Sequence, residues 1–322
     1  MYEKFFGLTE RPFDLVPNPR FLYPSPPHRE ALSNLRYGLS IPRGLTMLLG
    51  EAGTGKTTLL QTVLAEIDPA RIECVLLSNP TLTRDEFLEY LADGYKLGPE
   101  AMQSKTAFLV EFRAHLEARR AAGLLTALVL DEAQSLPYEL LEEVRLLSNI
   151  ETPTEKLLNV LLVGQPELAG RLNEPSLRQL KQRISLRCEL RTLNFEEVAA
   201  YIAGRIRLAG GEPAKVFSRE AILAIAEASG GVPRTINVIC DNALLGAFAS
   251  GSIPVLREMV DEVRRDFDLR SRPLVPSSGN GNGHPAASPA ASDDGAGAAL
   301  ESETEPEPVL ESGGPRKRFL FF

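Results

Sequence analysis

The chain has 322 residues, a hydrophobic share of 43% and a formal net charge of −8. That length suits one large domain or two, and the apolar share is enough for a real core. The acidic balance argues against a polyanion-binding face over the whole chain, while leaving room for a local basic surface. Cys74, Cys188 and Cys240 are far apart and fit no zinc or redox spacing. They read as buried small apolar residues in a reducing cytoplasm. The first residues lack the long apolar run of a secretory signal, and no stretch of about 18 apolar residues offers a membrane span.

Residues 1–43 are rich in aromatics and prolines, among them Phe5, Phe6, Phe13, Phe21, Tyr23, Pro24, Pro26 and Pro27. Disordered segments are poor in aromatics, so an ordered lead-in packed on a core is expected. A short helix follows over 28–39. The apolar run 45–49 reads as a buried strand. It enters Gly50-Glu51-Ala52-Gly53-Thr54-Gly55-Lys56-Thr57, a complete G-x-x-x-x-G-K-T phosphate loop. From Thr58 to Leu64 apolar residues recur at helical spacing. Glycines let successive N–H groups curl toward β- and γ-phosphates, and the helix N-terminus adds positive dipole. Lys56 supplies a point charge to the same oxygens, and the Thr57 hydroxyl is placed to ligate Mg²⁺.

Four more strands are expected at 72–77, 126–130, 158–163 and 185–190, separated by helices. Thr83-Arg84-Asp85-Glu86 is a capping box opening one of these; others run over 107–122 and 138–149. Five strands alternating with helices argue a parallel sheet covered on both faces, an α/β fold. The third strand runs straight into Asp131-Glu132, at the sheet end where ligands collect. Asp131 is read as holding the Mg²⁺ shell, and Glu132 as the general base that polarises the attacking water. The fourth strand ends at Gly164-Gln165. Gln165 is read as reaching the γ-phosphate or the water, or else as a turn-forming amide before Pro166. The basic stretch 177–183 offers Arg183 or Arg178 as a guanidinium acting on a neighbour's nucleotide, or else a solvated helix face.

From Asn194 to about Phe267 the pattern is helical only. Asn194-Phe195-Glu196-Glu197 caps the first helix, and Ser218, Pro233 and Pro254 begin three more. These form a lid. Arg234 stands in the first turn of its helix, against the dipole, a local violation that a phosphate in the cleft would compensate. Residues 277–308 are Gly, Ser, Ala, Pro and acid, so a linker or tail is expected there.

Together the motifs resemble the AAA+ ATPases of the general secretion pathway ExeA/GspA type. The resemblance spans about residues 1–268 and is carried by Tyr2-Glu3-Lys4-Phe5-Phe6-Gly7-Leu8, the phosphate loop through Thr58, Leu130-Asp131-Glu132-Ala133-Gln134, Glu143-Val144-Arg145-Leu146-Leu147-Ser148-Asn149, Gly164-Gln165-Pro166-Glu167-Leu168 and Pro233-Arg234-Thr235-Ile236-Asn237. It implies a P-loop AAA+ domain at 44–192, a lead-in at 1–43, a helical lid at 193–269 and a tail at 270–322. It implies ATP and Mg²⁺ as ligands, Gln165 as sensor 1, Arg234 as sensor 2 and Arg183 as the likelier finger. It also implies self-association and an envelope secretion or export partner, with a cytoplasmic location beside the inner membrane. The transposition helpers of the TniB/MuB kind share this core, so a DNA-associated ATPase is the alternative. Secretion members continue past the linker into a membrane span. Here the residues after the linker end in Arg316-Lys317-Arg318-Phe319-Leu320-Phe321-Phe322, read either as the trace of a membrane-anchored ancestor or as a short docking peptide.

Overall fold

Apolar side chains run almost unbroken along the inner strands, and a strand sends alternate residues to opposite faces, so both faces are buried. The computed structural model describes residues 1–16, 18–78 and 81–269; the expected tail and its basic-aromatic tip lie outside them. The strands are β1 (Leu45–Gly50), β2 (Ile72–Leu77), β3 (Leu125–Leu130), β4 (Asn159–Gly164) and β5 (Ile184–Leu190). All pair in parallel, in the order β2-β3-β4-β1-β5. Met47, Leu49, Leu128 and Leu162 belong to one face; Leu48, Val129, Leu161 and Cys188 belong to the other.

Helices α1 (Pro26–Ser40) and α2 (Lys56–Glu66) cover the second face. The first face carries α3 (Arg84–Gly94), α4 (Lys105–Ala121) and α5 (Tyr138–Leu147), then α6 (Pro166–Arg171) and α7 (Arg178–Lys181) on the way to β5. The Thr83 capping box is formed: Glu86 N donates to Thr83 Oγ1 at 3.3 Å and Thr83 N donates to Glu86 Oε2 at 2.7 Å. Helix α1 lies so close to β1 that a Cβ on Gly38 would stand 2.5 Å from Thr46 Oγ1. Cys188 and Cys240 are buried and Cys74 half-buried; burial pushes the Cys74 thiol up to about 11.

The helical part comprises α8 (Phe195–Leu208), α9 (Pro213–Val216), α10 (Arg219–Ser229), α11 (Pro233–Ser250) and α12 (Arg257–Asp266). Asn194 and Glu197 form the second capping box, and Ser218 caps α10. One expectation needs correction. Pro254 does not begin a helix: Val255 bridges to Phe217 as a short parallel ladder, and α12 starts only at Arg257. One-turn α9 has no expected counterpart, because four residues show no helical period.

The lead-in divides between two cores. Tyr2, Phe6, Leu8 and Phe13 are buried with α8 to α12 in the helical core. Thr9 N donates to Ala209 O at 2.8 Å, and Arg205 Nε donates to Pro12 O at 2.5 Å. Ala31, Leu35 and Leu39 of α1 pack on the sheet instead. Sheet and helical part fall in one compact unit. Among the described residues no helix is long and apolar enough to cross a membrane.

Candidate functional site

β1 is buried along its whole length and delivers the chain to the loop at its C-terminal end. Gly53 and Gly55 take φ of 81° and 99°, the left-handed region that glycine enters without a Cβ penalty. Thr54 Oγ1 donates to Glu51 O at 2.8 Å and closes the curl from inside. Lys56 is buried; its Nζ donates to Gly50 O at 2.7 Å and Glu51 O at 3.0 Å. Burial pushes its ammonium pKa down, opposed by the charges of Glu132, Asp131, Glu51 and Glu167. His28, from α1, supports the loop from behind. Its Nε2 lies 3.1 Å from Thr54 O and its Nδ1 2.6 Å from Ser25 Oγ. A carbonyl only accepts, so Nε2 carries the proton and Nδ1 takes the serine hydroxyl.

β3 and β1 flank β4, which brings the acidic turn opposite the loop. Asp131 is buried, and burial raises its carboxyl pKa, with Glu132 adding to the rise. Its Oδ1 accepts from Glu132 N at 2.9 Å, and Thr57 Oγ1 donates to its Oδ2 at 3.4 Å. Neighbouring ligands of a small octahedral cation, each bound at about 2.1 Å, stand about 3 Å apart. Thr57 and Asp131 thus set two hard oxygens at close to that spacing. Glu132 has φ of 52° despite its side chain. Its Oε2 accepts from Gln134 Nε2 at 2.5 Å and from Gln165 Nε2 at 3.3 Å.

A cleft opens between loop, lead-in and lid. Of the expected site residues, Ala52, Gly53, Thr54, Gly55, Lys56, Thr57, Thr58, Glu132 and Arg234 line it. Gly50, Glu51 and Asp131 back them, and Gln165 stands behind Glu132. Arg234 is exposed, and among the described residues its guanidinium has no hydrogen bond or ion pair. Its backbone N donates to Gly53 O at 3.1 Å and joins lid to loop through main chain, while Leu193 N donates to Gly231 O at 2.8 Å at the lid's entry.

Arg183 and Arg178 are not brought to this cleft. Arg183 precedes Ile184, which pairs with Leu45 at the foot of β1. The six residues of β1 separate that foot from the loop, a rise of about 20 Å. Reasoning from sequence missed six contributors. These are His28, Gln134, Arg171 (bonded to Gln134 O at 2.6 Å) and the lid wall of Tyr201, Arg205 and Asn237. His28, Gln134 and Asn237 stood inside blocks that carry the resemblance, without a role assigned to them; the others left no linear signal.

Residues 41–172 match the AAA domain family. The chain is 44% identical over 253 residues to general secretion pathway protein A of Aeromonas hydrophila, covering 78% of this chain and 46% of that protein. This is an AAA+ chain of the general secretion pathway protein A type. It spans just under half the length of that relative. Solved AAA+ folds agree with the architecture. The Aeropyrum pernix ORC1 protein in complex with DNA superposes with a TM-score of 0.58 at 18% identity, over 80% of this chain and 69% of that one. Cdc6p of Pyrobaculum aerophilum gives 0.56 at 20%, over 74% and 66%. At such identities the likeness concerns the fold alone. The five-stranded parallel sheet with a helical lid is that of the AAA+ P-loop proteins.

Proposed function

We propose that the chain binds ATP with Mg²⁺ in this cleft and hydrolyses it, and that the cycle drives assembly or regulation of a cell-envelope secretion system. The observation that carries the reading is the pairing of the curled loop with the acidic turn: Thr57 Oγ1 and Asp131 Oδ2 lie 3.4 Å apart beneath Glu132. The loop amides and Lys56 grip the β- and γ-phosphates. Lys56 exchanges its two carbonyl partners for phosphate oxygens. Thr57 and Asp131 would hold Mg²⁺, which when bound neutralises charge on the phosphate oxygens. Glu132 Oε1, the oxygen left free of its amide partners, takes a proton from the attacking water. The water oxygen bonds to the γ-phosphorus, and the bond to the β–γ bridging oxygen breaks with its electron pair leaving on ADP. A positioned base of this kind contributes about 10²–10⁴-fold.

Gln165 and Arg234 act as the residues that report the γ-phosphate to β4 and to the lid. Arg183, at the far end of the sheet, serves the cleft of a second copy, which requires self-association. Kinship with general secretion pathway protein A supports an envelope partner, and a location at the cytoplasmic side of the inner membrane belongs to the same proposal. The test is phosphate release by the full chain, with and without Mg²⁺, across protein concentration. Turnover that needs Mg²⁺ and rises with concentration supports the reading. Absence of Mg²⁺-dependent nucleotide uptake at any concentration overturns it. Retention by DNA-cellulose in the presence of ATP, lost steeply with salt, would favour the transposition-type role instead.

A further inference from the structure

We infer that Gln134 is a positioning residue that sets the rotamer of Glu132 and ties it to the end of β4; this rests on the proposed role of Glu132 as base. Three facts converge on its amide. Its Nε2 donates to Glu132 Oε2 at 2.5 Å. Its Oε1 accepts from the backbone N of Gln165 at 3.0 Å. The main chain beside it is bare: a Cβ on Gly164 would stand 3.0 Å from Gln134 Oε1. The amide's orientation is dictated by its partners, since a backbone N–H only donates and a carboxylate only accepts.

The turn itself does not need this amide. Ser135 N donates to Glu132 O at 2.8 Å, and Arg171 Nη1 donates to the carbonyls of Gln134 and Leu136 at 2.6 and 2.7 Å. Those main-chain bonds hold the backbone that places Glu132 at φ 52°. The Gln134 side chain is thereby free for a second task. Both amides meet the same carboxylate oxygen, so Oε2 is occupied and Oε1 is the oxygen presented to water. Gln165 alone, at 3.3 Å, is a longer and weaker tether. A shift of the Gln165 peptide, when its side chain meets a phosphate, is passed through Gln134 to the base. Glu132 is therefore aligned only when the end of β4 is in register with the substrate.

The experiment measures turnover, nucleotide affinity by a fluorescent ATP analogue, and thermal melting in the full chain with Mg²⁺. Gln134→Ala removes donor and acceptor together; kcat is expected to fall at least about tenfold, with Kd and melting temperature nearly unchanged. Gln134→His keeps one donor and one acceptor in a neutral ring, and is expected to restore most of kcat. Gln134→Glu places an acceptor against a carboxylate and is expected to match or exceed the loss in Gln134→Ala. Glu132→Gln serves as the reference. If Glu132→Gln is inactive while Gln134→Ala turns over normally, the positioning role is wrong and the base assignment stands. If Gln134→Ala and Gln134→His lose kcat and melting temperature together, the residue is merely structural and the inference is overturned. If Glu132→Gln turns over normally, the base assignment itself fails first.

Discussion

The two loops that face each other across the cleft hold their backbones by different means. The phosphate loop places left-handed conformations on glycines, Gly53 and Gly55, where they cost little. The acidic turn places one on Glu132, a residue with a long side chain, and holds it with the Ser135–Glu132 main-chain bond and Arg171, while side-chain amides fix the carboxylate. The first loop is a receptacle made of main chain; the second is a pose imposed on one carboxylate. A backbone receptacle should fail through affinity or folding. An imposed pose should fail through rate.

The sharpest test of that contrast is Glu132→Gln, which keeps size and removes the base. Turnover should fall by about 10²-fold or more while nucleotide affinity stays within a few-fold, by single-turnover kinetics and analogue titration. Lys56→Ala should do the reverse. Charge-assisted hydrogen bonds are worth about 1.5–3 kcal/mol, so affinity should drop by about ten- to a hundredfold. Unliganded stability should also fall, by about 1–3 kcal/mol, because the carbonyls of Gly50 and Glu51 lose their donor.

Gly55→Ala forces a side chain into φ 99° and should cost about 1–3 kcal/mol in denaturant melts. Loss of rate at full stability in that variant would break the contrast. The smallest effect belongs to His28. Burial lowers its imidazole pKa, so between that value and about 6.5 the native state holds fewer protons than the unfolded chain. Its contribution is fully present above about pH 6.5 and is lost as pH falls through the folded value. His28→Gln, whose amide can still donate to Thr54 O, should flatten this acid limb in melts from pH 8 to 5.

The same contrast explains what could be read in advance. The loop is a linear word bounded by a strand and a helix, so spacing alone located it. Asp131 and Glu132 were visible because an apolar strand ends on them. Gln134 was not, since its role appears only when β4 pairs beside β3 and sets Gln165 against the turn. His28 and Thr54 touch across 26 residues, and Thr9 and Ala209 across 200. No local pattern encodes such contacts. Capping boxes at Thr83 and Asn194 were legible because they close within four residues. Pro254 misled because proline fits a helix start as well as a turn, and here a bridge to Phe217 claimed the following residue.

The start of α11 is tied by peptide groups, Gly231 to Leu193 at the lid's entry and Arg234 to Gly53 on the phosphate loop. Peptide groups are common to every amino acid, so most exchanges of side chain leave such stitches whole. The weak stitch is Gly231, where even one added methyl would stand 1.9 Å from the Leu193 carbonyl oxygen. Side chains on the outer surface of the helical part can therefore change widely without disturbing these ties, provided neither loop changes length and that single glycine stays bare.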